Sequence, residues 1–140
     1  MHPLIAELTA SGPVLTDGAW GTQIQQRGLP IGAPPDPWNL DRPEVILEVA
    51  RAYVQAGSRI ILTNTFGASP ITLARHGEAD KAFAINKRGA EISRQAAEGR
   101  ARVFGSVGPT GKMVSMGEIE EDELRAAYRE QLAGLAAGGV

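Results

Sequence analysis

The feature that most limits the fold is a repeated order of segments: an amphipathic stretch, then glycine, then a short apolar run. In PEVILEVARAYVQAG, Val45, Val49 and Tyr53, flanked by Ile46 and Ala50, share one helical face. Gly57 suits the left-handed residue that closes a helix, and Ile60-Ile61-Leu62 then reads as a strand. In DKAFAINKRGAEISRQAAEG, Ile85, Gly89, Ile92 and Ala96 fall at helical spacing before Gly99, and Val103-Phe104 opens the next strand. The third stretch, EEDELRAAYREQLAGLAAGG, aligns Leu124, Tyr128, Leu132 and Leu135 and is followed only by Val140. An earlier strand at Pro13 to Thr16, preceded by a short helix from Pro3 to Ala10, fits the same scheme.

Strands that are continuously apolar and alternate with helices pair in parallel, with both faces of the sheet covered. The expected fold is therefore α/β: the N-terminal portion of a (β/α)8 TIM barrel, or alternatively a doubly wound parallel sheet. GAPPDP, residues 32–37, is the one linker-like segment and is too short to divide domains. The pattern stops after a helix and its glycines. Residues 1–140 are thus expected to be the front part of a single domain, cut near the start of its fourth strand.

Composition removes several functions. A net charge of −2 on a chain with 21% charged residues gives no electrostatic case for a nucleic-acid partner or an anionic membrane. No apolar run approaches the roughly 20 residues that span a bilayer. MHPLIAELTASG lacks the basic and apolar regions of a secretory signal, which leaves the cytoplasm as the default compartment. With no cysteine, the chain holds neither a disulfide nor a thiolate metal site.

The segments after the strands are DGAWGT, TNTFGAS and GSVGPTG, all small, polar and rich in glycine. In parallel α/β folds the C-terminal ends of strands form the rim where ligands bind. QAGSR and EGRAR, before the strands, carry nothing comparable. FGSVGPTGK resembles a phosphate loop at first sight, but its spacing is wrong. Counting back from Gly111-Lys112, the first glycine of that motif is replaced by Ser106, and Met113 stands where the magnesium-binding hydroxyl belongs. Pro109 also lacks an amide N–H.

The strings DGAWGTQIQQRG, DPWNLDRPEVILEVARAYVQAGSRIILTNTFGAS, INKRGAEISRQA and FGSVGPTGK, in this order, resemble the homocysteine S-methyltransferase family, which includes the homocysteine-binding domain of cobalamin-dependent methionine synthase. The resemblance spans about residues 12 to 140. It implies a (β/α)8 barrel of about twice this length or more and methyl transfer to the thiol of homocysteine. It also implies zinc held by three cysteines, which would lie beyond Val140, so no metal ligand or catalytic residue is expected within this chain. The donor is left open among a methyl-corrinoid, methylfolate, S-methylmethionine and a betaine-like onium.

On the same resemblance, Asp17 would hold the homocysteine ammonium, and Gly18 would leave backbone N–H groups for the carboxylate. Asn64 either orients the substrate through its amide or satisfies loop backbone. Thr65 belongs to the same loop, and Ser106, with Gly108 and Thr110, would shape the pocket floor. Phe66 is expected to pack at the mouth. His76 is read as the end of a short helix after Pro70, Glu118 to Glu123 as an acidic helix start, and Asn86 is given no chemistry. A non-catalytic barrel without zinc, binding amino acids or serving as a scaffold, is the alternative function, and self-association of the 140 residues is a further expectation.

Overall fold

The computed structural model describes residues 1–140. Its helices and strands run α1 (Pro3–Thr9), α2 (Trp20–Gln25), α3 (Trp38–Asp41), α4 (Pro43–Gln55), β1 (Ile60–Leu62), α5 (Pro70–Leu73), α6 (Ala82–Ala97), β2 (Arg102–Phe104) and α7 (Glu121–Ala137). Short 3-10 turns occur at Ala74–His76, Ala79–Lys81 and Val114–Met116. Local chemistry accounts for the boundaries. Pro43 opens α4, and Gly57 closes it at φ +100°. The Ser69 hydroxyl caps α5 by accepting the Thr72 N–H at 3.1 Å, and Gly77 ends the following turn at φ +72°.

β1 and β2 are parallel, with Ile60 opposite Arg102 and Leu62 opposite Phe104. The strand expected at Pro13–Thr16 shrinks to one parallel bridge between Thr16 and Ile60. The Leu15 carbonyl accepts the Arg59 N–H at 2.8 Å, and the Asp17 N–H donates to the Ile60 carbonyl at 3.0 Å. Pro13 has no N–H to give and the far side of the segment has no neighbour, so pairing begins only at Leu15. The spatial order is thus this segment, β1, β2, each parallel to the next. That order fits a barrel arc or one half of a doubly wound sheet, but not the 2-1-3 form of the latter.

Side chains alternate across β1. Ile61 is fully buried among Ala50 and Val54 of α4 and Ala96 and Ala97 of α6, while Ile60 and Leu62 face the other side and are half-buried. A second cluster joins Ile24 and Leu29 to Ile46, Val49 and Ile92. Each fully buried isoleucine contributes roughly 1.5–3 kcal/mol.

α7 departs from the expected face. Ala127, Gln131, Gly134 and Leu135 are buried, whereas Leu132 is 53% exposed. The helix is turned so that its small residues meet α6. A Cβ on Gly134 would stand 2.7 Å from the Phe83 carbonyl oxygen, and one on Gly138 would stand 2.5 Å from the Lys87 carbonyl oxygen. No helix is long and apolar enough to cross a membrane.

Candidate functional site

The loops after β1 and β2 are locked together by a ring of hydrogen bonds. The Ser106 N–H donates to Thr63 Oγ1 at 2.9 Å, Thr63 and Thr65 share a hydroxyl contact of 2.6 Å, and Thr65 Oγ1 donates to the Ser106 carbonyl at 2.8 Å. Because the Thr65 proton is committed to that carbonyl, the Thr63 hydroxyl must be the donor between the two threonines. Gln131 of α7 adds a fourth hold, donating from Nε2 to the Thr65 carbonyl at 2.8 Å.

Beside this ring lies a cavity of about 430 Å³, lined by Trp20, Gly21, Pro34, Pro35, Asp36, Leu62, Thr63, Asn64, Thr65, Phe66, Gly67, Thr72 and Ser106. Three of the residues singled out in the sequence, Asn64, Thr65 and Ser106, are therefore brought together on one wall. Both amide protons of Asn64 are spent on structure: Nδ2 donates to the Pro35 carbonyl at 2.9 Å and to Asn39 Oδ1 at 3.0 Å. Asn39 returns the contact from its own Nδ2 to the Asn64 carbonyl at 2.8 Å. Gly89 on α6 makes room for this pair, since a Cβ there would fall 2.6 Å from Asn39 Nδ2 and 2.7 Å from Thr65 Cγ2.

Asp17 and Gly18 are not among the residues that line the cavity; the half-buried Asp17 adjoins it through Trp20 and Leu62. Asp17 Oδ2 accepts the Leu62 N–H at 2.7 Å and the Trp20 indole N–H at 2.7 Å, so one carboxylate oxygen fixes two lining residues. Gly18 lies against Tyr53, whose hydroxyl would be 3.2 Å from a Cβ at that position and donates to the Ala19 carbonyl at 2.8 Å. Burial, and secondarily the charge of Asp17, holds the Tyr53 hydroxyl above the usual tyrosine pKa.

The glycine loop is a clasp. Its Gly108 N–H donates to the Phe66 carbonyl at 3.0 Å, and a Cβ on Gly108 would come within 2.6 Å of that oxygen. Arg75 Nη2 donates to the Thr110 carbonyl at 2.7 Å, and the Lys112 N–H turns to Thr110 Oγ1 at 3.3 Å. The Ser106, Gly108 and Lys112 amides of this loop are thus occupied within the protein. Phe66, expected to pack, touches Gly108 yet leaves 62% of its surface exposed at the cavity.

The sequence reading passed over Asp36, Asn39, Thr63, Thr72 and Gln131. Nothing in the sequence marked Asp36, which lies in the stretch read as linker-like. It is 3% exposed, its Oδ1 accepts the Gly67 N–H at 2.9 Å, and burial raises its pKa from 3.8 to about 6. The linker-like 32–37 segment is thus one wall of the cavity. No three or more His, Cys, Asp or Glu side chains are grouped to hold a metal ion.

The family model described as homocysteine S-methyltransferase matches residues 14–140. The chain belongs to the homocysteine S-methyltransferase family. Within this family it is 32% identical to the methionine synthase of Mycobacterium leprae, with 97% of this chain and 12% of that protein aligned. The methionine synthase of Mycobacterium tuberculosis is 33% identical, over 89% of this chain and 11% of its own length. The chain therefore spans about an eighth of the curated relatives it matches. In structure it is similar to the metallated form of the homocysteine methyltransferase MmuM from Escherichia coli, with a TM-score of 0.79 and 27% identity, over 99% of this chain and 55% of that one. This homocysteine S-methyltransferase family member is an α/β chain whose glycine-rich loops gather on one cavity.

Proposed function

We propose that the protein transfers a methyl group to the thiol of homocysteine, giving methionine, and that this chain supplies the substrate-binding wall of the site. The observation that carries this reading is the convergence of residues 63–67 and of Ser106, from the loop after β2, on one cavity, with the Asp17 carboxylate adjoining it. In the reaction the thiol first gives its proton to solvent, a lone pair of the resulting thiolate forms the new S–CH3 bond, and the donor's leaving atom departs with the electrons of its old bond to the methyl carbon. Asp17 uses Oδ2 within the protein, and its other oxygen is the acceptor proposed for the substrate ammonium. The barrel reading is supported by the sequential parallel strand order and by the likeness to MmuM. The cytoplasm is the compartment proposed.

Zinc, implied by the family resemblance, does not fit the residues of this chain. There is no cysteine, and no grouped set of alternative ligands. Activation of the thiol is therefore assigned to residues other than these 140, and no step is routed through a metal here.

Calorimetric titration of L-homocysteine into the full-length protein tests the site. Asp17→Asn should weaken binding by about 1.5–3 kcal/mol, the scale of a charge-assisted hydrogen bond. Thr16→Val, which removes a hydroxyl that lies outside the cavity lining, should leave binding unchanged. Wild-type affinity in Asp17→Asn would refute the ammonium assignment. Methionine formation, assayed with each of the four donor classes in turn, separates catalysis from binding without turnover.

A further inference from the structure

Asp36 is a buried carboxylate that the proposed chemistry does not use. Its Oδ1 accepts the Gly67 N–H, while its Oδ2 makes no hydrogen bond within the protein. A Cβ on Gly67 would stand 2.9 Å from Oδ2, so glycine is what allows the carboxylate this close. The same short stretch grips the neighbouring loop three times more: the Pro35 carbonyl and Asn39 Oδ1 accept from Asn64 Nδ2, and Asn39 Nδ2 donates to the Asn64 carbonyl. The gripped loop carries Asn64, Thr65 and Phe66 to the cavity. We propose that Asp36 is a positioning residue: its carboxylate sets where the loop of residues 64–67 stands, and through Gly67 it sets how tightly the cavity holds its occupant.

The electrostatics fit this role. Desolvation opposes ionisation of Asp36, its own and the Gly67 backbone N–H groups favour it, and the charge of His76 favours it further. No other ionisable side chain lines the cavity. The grip on Gly67 is charge-assisted when Asp36 is ionised and becomes an ordinary hydrogen bond when it is protonated.

The test is an amide NMR titration of the full chain from about pH 4.5 to about pH 8. The Gly67 amide should shift with a midpoint near 6 in the wild type and stay flat in Asp36→Asn, whose side-chain oxygen still accepts a hydrogen bond. Histidines titrate in the same range, so His76→Gln is the control: the Gly67 transition should persist and move to higher pH. A Gly67 amide that does not titrate, that titrates equally in Asp36→Asn, or whose transition vanishes in His76→Gln overturns the proposal. A second arm rests on the homocysteine reading. Between about pH 7.5 and about pH 5, wild-type homocysteine affinity should fall roughly tenfold more than that of Asp36→Asn. An equal fall in both, with the Gly67 transition intact, refutes the coupling to the cavity. If the wild type binds no homocysteine at any pH, the functional reading fails, while the Gly67 transition still supports the positioning of the loop.

Discussion

Between about pH 4 and about pH 6 the folded chain holds a proton on Asp36 that the unfolded chain releases, because its pKa is raised from 3.8 to about 6. The stability associated with that proton is complete below the unfolded value and is lost as pH rises through about 6. The loss amounts to about 3 kcal/mol at neutral pH, at 1.36 kcal/mol per unit. Asp36→Asn should therefore be more stable than the wild type at about pH 7.5, by about 1–2 kcal/mol once the weaker bond to Gly67 is allowed for. The advantage should disappear near pH 4. Urea denaturation at the two pH values checks this, and equal stabilities at both would contradict it. The hydroxyl ring is the other residue-scale case. Thr63→Val keeps the shape but leaves the Ser106 N–H without its acceptor, and should destabilise by about 1–3 kcal/mol in the same assay. Lys112 belongs to the same loop, and Lys112→Ala should leave ATP binding undetectable in both proteins by calorimetry, since the Ser106 and Gly108 amides are already engaged.

At the scale of elements, α6 and α7 approach through glycine. Gly138 has φ −80°, which alanine adopts freely, so any effect of Gly138→Ala is steric. Its new methyl would meet Ala90 Cβ and the Lys87 carbonyl oxygen, each at 2.5 Å, and should destabilise by about 1–3 kcal/mol. Gly21→Ala is the counterpart: nothing lies within 4 Å of that position in α2, and the change should stabilise by roughly 0.5–1 kcal/mol. Thermal melting of the two variants should move in opposite directions. The longer helices α4, α6 and α7 and the short helix after Pro70 were legible in the sequence, because amphipathic spacing and glycines such as Gly57 and Gly77 act locally; α2 and α3, which lie in stretches read as loop, were not. The buried face of α7 was not. Leu124, Tyr128, Leu132 and Leu135 form the more apolar stripe, but close approach to α6 depends on the absence of side chains at Gly134 and Gly138, which hydrophobic spacing does not register.

In the whole molecule, β2 pairs only with β1, and the 14–16 segment bonds to β1 and to Ser58 and Arg59 just before it, so both outer edges of the small sheet carry unpaired backbone groups. Leu15 is 67% exposed beside one edge, and Leu132 and Met116 add exposed apolar surface at 53% and 69%. Open edges and apolar surface promote association. The 140-residue chain in isolation should therefore show a mass in light scattering that rises with concentration. A constant monomeric mass with a cooperative melt would contradict this expectation.

The sequence by itself determined the alternation of helix and parallel strand, the side of the sheet that carries the glycine-rich loops, and the failure of GSVGPTGK as a phosphate loop. These follow from periodicity, capping and motif spacing, all of which act over a few residues. Family membership was legible because four such strings recur in order. The partners of those loops were decided only in three dimensions. Thr63 meets Ser106 across 43 positions, Asn39 meets Asn64 across 25, and Gln131 meets Thr65 across 66. Asp36 becomes a buried carboxylate with a raised pKa only because the fold brings the bare backbone of Gly67 against it. No local property of an aspartate in a proline-rich stretch encodes which amide it will find, since that depends on how the helices between them pack.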